Sequence, residues 1–155
     1  MPNLAPSDAT LDARLRLIVE SYLRLTGRNL IEETPDDADS LRLALWEAPR
    51  AIVAHGTEAD PVFFYGNRLA LQLFDVSFDE FTRLPSRLSA EPLAQEARVA
   101  LLEKVTQNGF VENYSGMRIA KSGKRFMITD ATVWNLLDEA GGYHGQAAVF
   151  AGETK

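Results

Sequence analysis

The side chains best suited to chemistry lie near the C-terminal end, in TVWNLLDEAGGYHGQAAVF at 132–150. Two apolar stretches flank an acidic, glycine-rich turn, which reads as a β-hairpin. Within it stand Trp134, Asn135, His144 and Gln146. A buried amide must find a hydrogen-bond partner, because leaving it unsatisfied costs about 1–3 kcal/mol. If the partners are in the protein, Asn135 and Gln146 are structural amides. If they are in a bound molecule, the two are recognition groups. Trp134 divides in the same way, between sheet cover and a stacking platform.

Other candidates sit upstream. Phe63, Phe64, Tyr65 and Tyr114 fall on predicted strands and together suit the lining of an apolar small-molecule pocket. Asn67 follows Tyr65-Gly66, where it can cap a helix or hydrogen-bond a ligand. The ligand-binding candidates are therefore Phe63, Tyr65, Asn67, Tyr114, Trp134 and Gln146. His55 and His144 are the only histidines. Either could be an axial haem ligand, and both with Glu58 or Asp60 could bind a metal, but the tight spacing of a metal motif is missing. Ser115-Gly116 lacks the nucleophile-elbow pattern. A small cavity enzyme of isomerase or hydratase type would use Asp130 or His144 as base beside Tyr65 or Tyr114. No spacing demands it, so no catalytic residue and no metal site is assigned.

Composition narrows the classes. Without cysteine there is no disulfide, thiolate metal site or thiol nucleophile. A formal net charge of −6 argues against broad nucleic-acid binding. Arg118, Lys121, Lys124 and Arg125 make one hairpin basic, and this reads as a solvated tip, with a site for an anionic partner as the alternative. The acidic run at 32–39 lacks the glycine and terminal glutamate of a calcium loop and reads as a linker. No apolar run reaches membrane-span length, and the first residues lack the basic and apolar regions of a signal peptide. A cytoplasmic location is the expectation.

These side chains need elements to hold them. Residues 1–8 read as a loose tail. Thr10 is the expected cap of a helix whose stripe is Leu11, Leu15, Ile18, Tyr22 and Leu25, with Gly27 ending it. That stripe suits packing on the same domain or a homodimer contact. Asp39 or Ser40 is expected to cap a short helix, Leu41 to about Glu47, before Pro49. Strands follow at 51–55 and 61–65. A helix capped by Asn67 comes next, then one opened by the capping box Ser77-Phe78-Asp79-Glu80. A longer helix is expected from about Ala90 to Gln107, capped by Ser89 and buried through Leu93, Ala97, Leu101 and Val105. Strands at 110–120, 126–137 and 143–150 complete the chain.

Two strands, short helices and three antiparallel strands make an α+β fold. The order is that of a PAS domain: a five-stranded antiparallel sheet with helices on one face, preceded here by N-terminal helices. Because neither face of the last hairpin is cleanly polar, cover is expected on both sides, with the N-terminal helix over the second. The stretches AHGTEADPVFFYGNRLALQLF, LPSRLSAEP, GFVENYSGMRIAKSGKRF and ATVWNLLDEAGGYHGQAAVF resemble the MEKHLA domain, a PAS-related family. It is found in small bacterial and algal proteins and at the C-termini of class III homeodomain–leucine-zipper proteins of plants. The resemblance implies a PAS-like domain at 49–152 after a helical extension at 1–48, and a noncatalytic sensory or interaction role with a small-molecule signal or a protein partner. Gln146 occupies a position like that of the flavin-contacting glutamine of LOV domains, so a noncovalent flavin is an alternative, as is haem; no cofactor is assigned. No nucleic-acid or membrane partner is expected. The alternatives in function are the cavity enzyme and an interaction domain without ligand.

Overall fold

Register explains how the sequence makes two different surfaces from one sheet. In a computed structural model, which describes residues 9–89 and 95–154, five antiparallel strands run in the order β2-β1-β5-β4-β3. They are β1 (Ala51–His55), β2 (Phe63–Gly66), β3 (Phe110–Ile119), β4 (Arg125–Leu137) and β5 (Tyr143–Thr154). Successive side chains on a strand point to opposite faces. Ile52, Ala54, Trp134, Leu136, Ala147 and Val149 therefore share one face, and Ala51, Val53, Val133, Ala148 and Phe150 the other.

Each face has its own helices. On the first lie α1 (Ala9–Thr26) and α2 (Ala38–Trp46). The stripe of α1 is buried there through Leu15, Ile18, Val19 and Tyr22, and α2 adds Leu41 and Leu45. Arg42 of α2 holds Asp12 of α1 with two bonds of 2.9 and 3.1 Å, fixing the helices to each other. On the second face lie α3 (Arg68–Phe74), α4 (Phe78–Phe81), a 3₁₀ turn (Ser86–Ser89) and α5 (Gln95–Asn108). Phe63, Phe74 and Phe81 stack together there, the rings of Phe63 and Phe81 lying 4.1 Å apart. The sheet is thus the middle of three layers.

Shifts in register decide which side chains meet. Ala54 pairs with Tyr65 but His55 pairs with Phe63, so Phe64 is the extra residue of β2. The pairing of β3 with β4 shifts around Tyr114, and that of β4 with β5 shifts between Thr129 and Thr132. Asn113 and Asp130 take left-handed backbone there, at φ 57° and 51°, a conformation Asn and Asp tolerate better than most residues. At Gly145 (φ 127°) a Cβ would lie 2.1 Å from the His55 carbonyl oxygen, so only glycine allows β5 to approach β1 this closely.

Some sequence-based boundaries change. The first helix already includes Ala9, so Thr10 lies inside it and is not its cap. Asp37, rather than Asp39 or Ser40, caps α2, because its carboxylate accepts the Ser40 N–H at 2.8 Å. Pro61 lies outside β2: its carbonyl accepts from Ser86, while Val62 bridges to Pro85. The last strand runs on to Thr154 rather than stopping at Phe150. Leu93, the side chain of Ala97, the tail at 1–8 and the expected start of the long helix near Ala90 lie outside the described residues. Ser89 donates to the Ser86 carbonyl at 2.6 Å, closing the 3₁₀ turn.

Candidate functional site

A cavity of about 60 Å³ lies between the second face of the sheet and its helices. The floor comes from β1, β3, β4 and β5 through residues such as His55, Tyr114, Val133 and Ala148; Phe63, Phe74, the 3₁₀ turn and α5 close it. Strand alternation and the two bulges of β3 and β4 bring Tyr114, Ile128 and Val133 to the same space. The walls are mostly apolar, which suits a small-molecule site.

The six sequence candidates do not form one set. Phe63, Tyr114 and Gln146 line the cavity. Tyr65 and Trp134 lie on the other face, in the core shared with α1 and α2; there the Tyr22 ring meets Trp134 edge-on at 4.8 Å, and Tyr65 meets Phe78. Phe63 and Tyr65 would share a face on a regular strand; the bulge at Phe64 separates them. Burial pushes the Tyr65 phenol above its ordinary pKa. The Tyr65 hydroxyl and the Trp134 indole N–H are buried without a hydrogen-bond partner among the described residues.

Asn67 is fully buried between the layers. Its Oδ1 accepts the N–H groups of Ile52 and Ala70, both at 3.1 Å. Its Nδ2 donates to the carbonyls of Leu45 and Arg50, at 3.1 and 2.9 Å. One amide thereby caps α3, secures β1 and holds the end of α2.

Asn135 and Gln146 oppose each other across β4 and β5 and tie α5 to the sheet. Gln146 Nε2 donates toward Asn135 Oδ1 (3.1 Å), Thr106 Oγ1 (3.2 Å) and the Leu102 carbonyl (3.3 Å). Asn135 Nδ2 donates to the Val105 carbonyl at 3.0 Å. The amide protons that would meet a flavin edge are engaged within the protein. A flavin also does not fit the space as it stands, since sites for molecules of that class enclose about 300–1,000 Å³.

The other expectations separate similarly. Asp130 and His144, the bases of the enzyme reading, are exposed, and His144 Nε2 lies 2.8 Å from Asp138 Oδ2 on the β4–β5 turn. That contact, followed by the Gly142 N–H, holds the Asp138 carboxyl below its ordinary range. Asp60 pairs with Arg87, and Glu58 accepts the Val62 N–H. No three His, Asp or Glu groups suited to a metal come together among the described residues.

Two residues of the site lie where the sequence reading did not place them. His55 lines the cavity, with Nδ1 3.1 Å from the Gly56 carbonyl oxygen. Arg118, expected in a solvated basic tip, is only 8% exposed and also lines the cavity. Strand alternation carries it inward while Lys124 and Arg125 stay at the surface and Lys121 pairs with Glu80. Its even spacing from Tyr114 was the available signal. The missing information was which face of β3 turns inward.

The PAS domain of a protein from Colwellia psychrerythraea has this arrangement, with a TM-score of 0.63 at 16% identity over 72% of this chain and 92% of that one. The dark structure of the blue-light photoreceptor Aureochrome1 LOV has a TM-score of 0.59 at 22% identity, covering 81% and 89%. At such identities the likeness is one of fold. Homeobox-leucine zipper protein HOX10 of Oryza sativa subsp. indica is 28% identical over 146 residues, which are 94% of this chain and 17% of that protein. ATHB-14 of Arabidopsis thaliana is 24% identical over 152 residues, covering 96% and 18%. The chain spans less than a fifth of the length of these plant relatives. No helix among the described residues is long and apolar enough to cross a membrane. The MEKHLA domain matches residues 12–153, from the first turns of α1 to the end of β5, and the chain belongs to that family.

Proposed function

We propose that this PAS-like module senses a small molecule in the cavity and transmits its presence through the sheet to α1 and α2. The observation carrying this reading is that the cavity and α1 use opposite faces of the same strands. Val133 lines the cavity while Trp134 meets α1; Ala148 and Val149 divide in the same way on β5. An occupant pressing on α5 or the sheet floor would alter the seat of α1. A molecule can shift that equilibrium only as far as it prefers one seat over the other.

The extension at 1–48 is then the output element of a sensory domain at 49–152, acting in a cytoplasmic setting and, in keeping with the family's small members, in a bacterium. A protein partner would read the displacement of α1. Homodimerisation through α1 would use its outer surface, where Leu23 is exposed, because the inner stripe is buried on the sheet. A noncatalytic role is favoured because the bases Asp130 and His144 lie outside the cavity.

Protein isolated without denaturation from its native source, then denatured and analysed by mass spectrometry, tests the reading. A reproducible small molecule in near-stoichiometric amount is the expected result. An interior that yields none, in a protein that binds none of a broad metabolite set, contradicts it.

A further inference from the structure

The polar side of the cavity identifies a ligand class. Arg118 carries a charge that is costly to bury unless it is paired. Of its five N–H donors, one meets the adjacent Met117 carbonyl at 3.0 Å; its guanidinium carbon stands 5.7 Å from the centre of the Tyr114 ring. No carboxylate joins it among the described cavity residues. In a chain of net charge −6, an inward arginine with no acidic partner among the described residues calls for another source of negative charge.

Gly116 lets the two polar groups of the cavity wall come together. Tyr114, Gly116 and Arg118 alternate along β3, and a Cβ on Gly116 would sit 2.5 Å from the Tyr114 hydroxyl and 3.1 Å from Arg118 Nη1. A phenol and a guanidinium thus converge over a residue with no side chain. A planar carboxylate matches the guanidinium fork, and the phenol supplies a further donor. The remaining wall is apolar, with Phe63, Phe74, Leu101 and Val133. The volume of about 60 Å³ admits only a few heavy atoms, since about 10–15 Å³ of such space holds one water.

We propose that the cavity receives a short-chain carboxylate, its head held by Arg118 and Tyr114 and its alkyl tail against Phe63, Phe74 and Val133. This rests on the sensory reading and specifies the class of signal.

The test is calorimetric titration of the full chain with acetate, propionate and butyrate, and with propionamide and butyramide as neutral partners of equal size. A buffer free of carboxylate and phosphate, with chloride and ionic strength held constant, keeps anion competition the same in every titration. Propionate or butyrate should bind and raise the melting temperature, while the matching amide should bind at least about tenfold more weakly, as expected for loss of a charge-assisted bond. Arg118→Gln should weaken carboxylate binding by a similar factor and leave the amide unaffected. Gly116→Ala keeps the charge but displaces the Tyr114 hydroxyl and crowds Arg118 Nη1, and should also weaken carboxylate binding; it remains informative if Arg118→Gln does not fold. Equal binding of acid and amide would overturn the carboxylate assignment and leave the sensory cavity standing. So would carboxylate affinity unchanged in Arg118→Gln. Failure of every short carboxylate to bind the wild-type chain would also overturn it, while ligand extraction decides the sensory reading separately.

Discussion

Val133 and Trp134 are consecutive on β4, yet Val133 lines the cavity and Trp134 lies against Tyr22 of α1. The two layers are separated by one strand of backbone. A change in packing at one residue is mechanically adjacent to the other without any longer chain of contacts. In the proposed sensory reading, this relationship makes α1 the element that answers to the cavity.

Ser21 is the polar anchor of that helix. It is fully buried, and its hydroxyl both donates to the Leu137 carbonyl and accepts the Leu137 N–H, each at 2.9 Å. Ser21→Ala should lower stability by about 1–3 kcal/mol, because it strands buried backbone groups. Urea unfolding measures the loss, and amide exchange at Leu137 should accelerate more than exchange in β1.

Asn67 should be more sensitive. Asn67→Ala removes partners from two backbone N–H groups and two carbonyls at once. Loss of a buried network of this size should cost about 3 kcal/mol or more, beyond the usual range for a single helix cap. Asn67→Asp keeps the acceptor but turns a carboxylate toward the Leu45 and Arg50 carbonyls, so it should not restore stability. Chemical denaturation of both variants checks this.

Acid should weaken the tie between α4 and the β3–β4 turn. The Lys121 contact, then the Ser77 N–H, lowers the Glu80 pKa from 4.5 to about 2. A carboxylate with a depressed folded-state pKa stabilises the fold above its unfolded pKa and loses that contribution as pH falls through the folded one. Stability should therefore drop between about pH 4.5 and 2, and Glu80→Gln should flatten this part of the profile. The pair is exposed, so added salt should reduce the effect. Melting curves across pH at two salt concentrations measure it.

The sequence revealed the elements more readily than the site. The periodic stripe of Leu15, Ile18 and Tyr22 and the caps Asn67 and Ser77 are local signals, and the same residues perform those tasks in the fold. The family motifs likewise pointed to the sheet and its helices. Which side chains meet depended on bulges, which leave only a weak local trace. Phe64 inserts an extra residue that parts Phe63 from Tyr65, and left-handed Asn113 and Asp130 mark the shifts around Tyr114. A basic residue near a hairpin turn reads as solvated on composition alone; only the face assignment of β3 takes Arg118 inward. Asn135 and Gln146 were legible as amides needing partners, but the partners on α5 come from tertiary docking.

Hydrogen–deuterium exchange of the full chain, with the cavity empty and with its extracted small molecule restored, tests the central claim most directly. The sensory account predicts that occupancy changes exchange in α5, where the molecule binds, and also in α1 and at Leu137 on the opposite face of the sheet. A change confined to α5 and the cavity strands, with α1 exchanging identically in both states, would contradict it.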